Sequence, residues 1–212
     1  MGKIERRRGL MTVEQFLAFE RSSARRHEYV AGHVYLMSGT TARHNEIASN
    51  IHSRLRTLTR GGACKAYVID MMVRAGDRFY YPDGVVVCAP HVGDTLLFEE
   101  PCLVVEVTSR SSRRTDHGEK LDAYLRVPSL RGYLIAEHNR RLVTLYTRAD
   151  DGTWNREEAA GAGSLDVPCV SGSLSLDEVY DGVEMPPLSV REEYEGEDDP
   201  WPASEEDELE LY

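Results

Sequence analysis

Three side chains set the chemistry open to this chain: Asp83, Glu106 and Lys120. Glu106 interrupts the otherwise apolar run Pro101-Cys-Leu-Val-Val-Glu-Val-Thr108, and Asp83 follows Pro82 at the head of a second run, Val85-Val86-Val87. Alternation along the first run puts Leu103, Val105 and Val107 on one face of a strand and Val104, Glu106 and Thr108 on the other. An ionised carboxylate in such a segment is costly unless a cation, a metal or hydrogen bonds compensate it. Two acids on neighbouring strands with a lysine shortly after are the parts of a metal-dependent phosphodiester-cleaving site. Magnesium is hard and keeps several waters, so one or two carboxylates, a main-chain carbonyl and a substrate phosphate suffice to hold it. Such an ion polarises the phosphoryl oxygen and lowers the pKa of a bound water. A lysine beside it stabilises developing negative charge or orients the attacking water. The carbonyl of Val107 is the natural main-chain ligand. Duller readings stand beside this one. Asp83 would serve as a turn acid at a strand entrance, Glu106 as a water-facing edge residue or a structural partner of Lys120, and Lys120 as a solvated residue paired with Asp116 at i,i+4.

The elements that must position these groups are legible from periodicity and turn chemistry. Thr12-Val-Glu-Gln15 reads as a capping box opening a short amphipathic helix through Glu20. His27 to Met37 reads as a hairpin turning at Ala31-Gly32. Thr41 to Thr59 reads as a longer helix, with Ile47, Ile51, Leu55 and Leu58 on one face and Gly61-Gly62 after its end. Strand-like runs cover Cys64 to Asp70, Met71 to Arg74, Phe79 to Cys88 and Cys102 to Thr108, with a polar connection from Ala89 to Glu100. Thr115 to Arg126 reads as one helix, and Tyr133 to Ala136 with Leu142 to Thr147 as a strand pair. Trp154 and Leu165 to Val170 read as edge strands, and Leu176 to Tyr180 as a last helical turn. There is no internal repeat.

Of the 212 residues, 41% are hydrophobic and 29% charged, the composition of one soluble domain with an appendage. No stretch reaches the roughly 18 apolar residues of a membrane span, and no apolar segment follows the basic start Met1 to Arg8 as a secretory leader requires. A cytoplasmic location is therefore expected. So are four reduced thiols, because Cys64, Cys88, Cys102 and Cys169 are widely separated and form no Cys-x-x-Cys pair. The net charge of −11 belongs to one end: Glu184 to Tyr212 holds 12 acids and one arginine, 1 − 12 = −11, leaving the rest neutral. Arginines cluster in the neutral body at Arg6 to Arg8, Arg25-Arg26, Arg110 with Arg113-Arg114, and Arg140-Arg141. Such clusters bind phosphates or remain solvated surface. Two regions are expected, a folded domain over 1–187 and an acidic, disordered tail over 188–212, the latter a docking peptide for a protein partner, a nucleic-acid mimic or a solubilising extension.

The pattern Tyr81-Pro-Asp83, Pro101-x-Leu-Val-Val-Glu106-Val-x-Ser109 and Asp116-x-x-x-Lys120-x-x-x-Tyr124 resembles the Uma-two family of restriction-endonuclease-like proteins, in the PD-(D/E)XK nuclease superfamily. The likeness extends to His27-Glu28-Tyr-Val-Ala-Gly32, to His44 and to Gly132-Tyr-Leu-Ile, covering roughly residues 10 to 185. The resemblance implies an α/β fold with a restriction-endonuclease-like core: a central mixed β-sheet flanked by helices, a preceding β-hairpin, and the acids at the sheet's edge. It implies divalent-metal-dependent cleavage of nucleic acid, with Mg2+ or Mn2+ as cofactor, and a homodimer. Carried over, Asp83 and Glu106 become metal ligands and Lys120 the catalytic cation. Thr108 stands where the wider superfamily has the lysine of an E-x-K motif, so the cation must come from the following helix. Glu28, His44 and Asp116 are supporting candidates: Glu28 as a further acid or a partner of Lys120, His44 as a structural donor or ligand, Asp116 as a helix cap or an orienting group for Lys120. The remaining histidines show no metal-ligand spacing.

The expectation is a divalent-metal-dependent endonuclease acting on DNA in preference to RNA, with no membrane role. The alternative is a nuclease-fold protein, weak or inactive in catalysis, that binds nucleic acid or protein. A third reading is a structural ion pair that only imitates a site. Retention of all three key side chains favours the first.

Overall fold

The computed structural model describes residues 10–37, 39–68 and 70–187. The acidic segment 188–212 and Arg6 to Arg8 lie outside the described residues. The capping box forms: Thr12 Oγ1 accepts the Gln15 amide at 3.3 Å and Gln15 Oε1 accepts the Thr12 amide at 2.9 Å, starting α1 (Val13–Ser22). The hairpin of β1 (His27–Val30) and β2 (His33–Leu36) turns at Ala31 and Gly32, both with positive φ, as a tight two-residue connection requires. Thr41 caps α2 (Ala42–Leu58), whose Ile47, Ile51 and Leu55 are buried.

β3 (Lys65–Val68), β4 (Met72–Ala75) and β5 (Arg78–Tyr80) follow. Then come β6 (Gly84–Val87), β7 (Leu97–Phe98) and β8 (Leu103–Val107). The next elements are α3 (Arg113–His117), α4 (Glu119–Tyr124), β9 (Gly132–Ala136) and β10 (Leu142–Arg148). β11 (Trp154–Ala160), β12 (Ser164–Asp166), β13 (Ser173–Ser175) and α5 (Leu176–Val179) complete the described chain. The expected α/β class holds, with a mixed six-stranded sheet ordered β11-β10-β9-β8-β6-β3 at its centre. β8 and β9 run parallel and its other neighbours antiparallel. A second sheet, β2-β1-β5-β4-β7, carries the hairpin, and β12-β13 form a small ribbon.

β8 alternates as its sequence predicts. Leu103, Val105 and Val107 pack in the core under α2, and Val104 packs in the core on the other face with Tyr124, Tyr133 and Ile135. A third cluster, with Phe16 of α1, Tyr29 and Phe79, fastens α1 to the second sheet. Among the described residues, no helix is long and apolar enough to cross a membrane.

Five expectations need correction. The run Phe79 to Cys88 is two strands in different sheets, parted at Tyr81-Pro82-Asp83, because Pro82 cannot donate to a ladder. The helix expected over Thr115 to Arg126 is two short helices divided at Gly118, where a Cβ would stand 2.9 Å from the Arg114 carbonyl oxygen. The connection Ala89 to Glu100 contains β7, too short to show a period. Glu106 is not at a sheet edge, since β6 and β9 pair with β8 on both sides. Finally, the cysteines form two disulfides, Cys64–Cys88 and Cys102–Cys169. Lys65 pairs with Val87, so the next step of that register sets Cys64 against Cys88. Cys169 lies in the turn between β12 and β13, so separations of 24 and 67 residues hide one pairing made by sheet register and one made by a loop folding back on the sheet.

Candidate active site

The two sheets meet where the candidate residues converge. Gly84 pairs with Val105 across β6 and β8, so continuing that register sets Asp83 opposite Glu106. Directly opposed positions bring Cβ atoms to about 5 Å, and two like charges at that distance are unfavourable without a cation. Asp83 Oδ2 accepts the Val107 amide at 2.7 Å, which locks the Tyr81-Pro82-Asp83 linker onto the end of β8. Tyr81 is fixed from its other side, where its hydroxyl donates to buried Glu20 at 3.0 Å.

Lys120 supplies the cation. Its Nζ lies 3.1 Å from Glu106 Oε1, 3.1 Å from Glu28 Oε1 and 3.5 Å from Asp116 Oδ1. Glu28 comes from β1 and also accepts the Tyr81 amide at 3.3 Å. Tyr124 Oη donates to Glu106 Oε1 at 3.4 Å. Lys120 is thus neither solvated nor paired with Asp116 alone. It is 6% exposed and tied to three carboxylates from three elements. Asp116 caps nothing, since the residues at the two caps are Ser112 and Gly118. Its Oδ1 stands 3.5 Å from the Lys120 ammonium, which it helps to orient.

Electrostatics follow from burial. Burial pushes the Glu106 carboxyl well above its ordinary range against the pull of Lys120. Burial likewise raises Asp116 to about 6. Burial alone would lower Lys120, but Glu106, Glu28 and Asp116 hold it well above its usual value, so the ammonium persists. Three carboxylates (Glu28, Glu106, Asp116) surround one ammonium, with Asp83 close by on His44, a surplus of negative charge that a divalent cation or protons must offset.

His44 enters from the first turn of α2, its Nε2 3.3 Å from Asp83 Oδ2. Burial would depress the imidazole, but the hydrogen bond and charge of Asp83, with a bond to the Val107 backbone, raise it above the ordinary histidine value. His44 therefore bridges two of the groups expected to hold a metal. Among the described residues, no three His, Cys, Asp or Glu side chains already converge on a metal-sized point. The donor set still fits a hard divalent ion: two opposed carboxylates, an adjacent main-chain carbonyl and excess negative charge. A separate cleft of about 790 Å3, lined by Arg74, His91, Phe98 and Arg126 among others, contains none of these side chains.

A neighbouring cluster escapes a sequence reading. Glu137, just after β9, is bonded by Thr108, Arg113 and His117. The arginine cluster at Arg110 to Arg114 was the one signal toward it. Its partner acid was invisible until β8 and β9 are set side by side.

Known proteins resemble this chain in sequence or in fold. The family described as "Uma2: Putative restriction endonuclease" matches residues 13–178. "Uncharacterized protein slr1290" of Synechocystis sp. is 29% identical over 176 residues, covering 82% of this chain and 93% of that one. "Uncharacterized protein sll1609" of the same organism is 27% identical over 158 residues, covering 72% and 89%. A crystal structure titled as a putative nuclease belonging to DUF820 from Anabaena variabilis superposes with a TM-score of 0.68 at 16% identity. It covers 82% of this chain and 99% of its own, a likeness of fold. With the matched residues spanning most of the chain and containing every member of the cluster, this protein belongs to the Uma2 family.

Proposed function

We propose that this protein is a magnesium- or manganese-dependent endonuclease that hydrolyses phosphodiester bonds in DNA. The observation that carries the reading is the placing of Asp83 and Glu106 one step beyond the Gly84–Val105 pair of β6 and β8, with Asp83 bonded to the Val107 amide at 2.7 Å and the Lys120 ammonium 3.1 Å from Glu106. Asp83, Glu106 and the Val107 carbonyl would hold the ion, which when bound supplies polarisation of the phosphoryl group and a more acidic water. The chain's own residues do the rest. Glu28 and Asp116 fix Lys120, so its charge is already in place as negative charge grows on the phosphoryl oxygens. Tyr124 restrains Glu106, and His44 restrains Asp83 and the end of β8.

A supercoiled plasmid nicking assay tests this. We expect nicking with Mg2+ or Mn2+ and none with EDTA. Asp83→Asn and Lys120→Ala should each lower the rate at least about a hundredfold. Undiminished nicking by either purified variant overturns the assignment. The second reading, a binding module without catalysis, is favoured by the direct hold of Lys120 on Glu106, and it predicts DNA binding with no metal-stimulated nicking. We extend the proposal to a homodimer, one site per strand of a duplex, and to a protein partner docking on segment 188–212.

A further inference from the structure

A second polar cluster lies on the same face of the sheet as Glu106, and its charge is opposite. Val107 pairs with Ala136, so the next step sets Thr108 beside Glu137, about 6.5 Å further along β8 than Glu106. The Glu137 side chain is 1% exposed. It accepts from Thr108 Oγ1 at 3.0 Å, from Arg113 Nε at 3.1 Å and from His117 Nε2 at 3.0 Å, and Arg140 stands 3.8 Å away. Arg113 and His117, four residues apart, share one face of α3 and reach Glu137 together. His138 joins through Thr108, its Nδ1 3.2 Å from Oγ1.

Among the described residues, one carboxylate thus faces two guanidiniums and an imidazole, a net positive charge even with neutral histidines. The acid is buried, while the side chains of Arg113, His117 and Arg140 stay 37%, 28% and 33% exposed. Arginines already held by a buried acid lose little further freedom when an anion arrives, and their planar forks suit phosphate oxygens. The carboxylate cluster attracts a cation, and the rim two residues away attracts an anion.

We propose that Arg113, His117 and Arg140, mounted on Glu137, form a phosphodiester-binding subsite that seats the DNA backbone beside the phosphate to be cleaved. Its place next to the chemistry rests on the nuclease reading; its affinity for DNA does not.

The test is equilibrium binding of a fluorescein-labelled duplex by anisotropy, in EDTA and across a salt series. Arg113→Ala and Arg140→Ala should each weaken binding several-fold, and each should reduce the slope of log K against log salt by about one. Arg60→Ala, at the far end of α2, should leave both unchanged. Thermal melting verifies that each variant is folded. Should Arg113→Ala not fold, Arg140→Ala and the His117 imidazole resonance of the parent protein, titrated with inorganic pyrophosphate, decide the matter: a saturable shift is expected. Unchanged slopes in the folded arginine variants, no duplex binding by the parent protein, or an unmoved His117 signal overturns the subsite. A parent protein that binds through this rim yet never cleaves with Mg2+ or Mn2+ refutes the nuclease reading alone. Cleavage with unaltered slopes refutes the subsite alone.

Discussion

Lys120 and Glu137 are single charges buried among opposite ones, and each makes a prediction at its own scale. Removing the Lys120 ammonium leaves Glu106, Glu28 and Asp116 without their shared cation. Breaking a buried ion pair from one side costs about 3–5 kcal/mol. Lys120→Ala should therefore unfold at lower urea than the parent by an amount in that range, and a loss below 1 kcal/mol would show that the ammonium compensates nothing. Glu137 behaves as a depressed acid: despite burial, bonding to His117 and the charge of Arg113 bring its carboxyl down to about 2 from an ordinary 4.5. Its contribution is complete above about pH 4.5 and fades as pH falls toward 2. Over that window the loss is about 3 kcal/mol. Glu137→Gln should flatten the acid limb of a stability-against-pH curve, and an unaltered limb would exclude Glu137 from it. The two residues differ in how readable they are. Glu106 announces itself because a charge breaks an apolar pattern, and Lys120 through its place 14 residues later in the motif. Glu137 follows an apolar strand at a turn, where an acid is unremarkable, and only the parallel register of β8 and β9 gives it Thr108, Arg113 and His117.

At the scale of elements, position depends on breaks as much as on periods. The joint at Gly118 lets α3 aim Asp116 and α4 aim Lys120 at one point. A Cβ there would meet the Arg114 carbonyl oxygen at 2.9 Å. We expect Gly118→Ala to destabilise by about 1–3 kcal/mol and to slow nicking; melting and rate measurements check both, and a neutral variant would mean the joint yields freely. The long helix and the hairpin were plain in the sequence because 3.6-residue and two-residue periods were intact over whole elements. The split at Gly118 was not, because Leu121, Tyr124 and Leu125 all lie on one side of it and Arg113 to His117 hold no apolar residue whose spacing could show a break. Likewise Tyr81-Pro82-Asp83 read as the interior of one strand, although Pro82 is where the chain leaves one sheet for the other. That crossing is what carries Asp83 to the end of β6.

At the scale of the whole molecule, two disulfides tie together the sheet end remote from the carboxylates. Closing loops of 24 and 67 residues restricts the unfolded chain, worth about 3 and 4 kcal/mol respectively on an entropic account. Reductant should lower the melting temperature by several degrees, and native protein should show no titratable thiols before reduction. An unchanged melting temperature would remove the disulfides from the stabilising terms. Neither bond could be read from spacing, since cysteine pairing is a property of the assembled fold. The central claim concerns the opposite end, where Asp83 and Glu106 stand at neighbouring positions of β6 and β8 and are claimed to share one divalent ion. A crystal soaked in Mn2+ and measured for anomalous scattering tests it most directly. The account predicts one peak roughly 2.0–2.3 Å from oxygens of both Asp83 and Glu106. Density at neither acid, or an ion bound elsewhere while the two side chains turn apart, would contradict it.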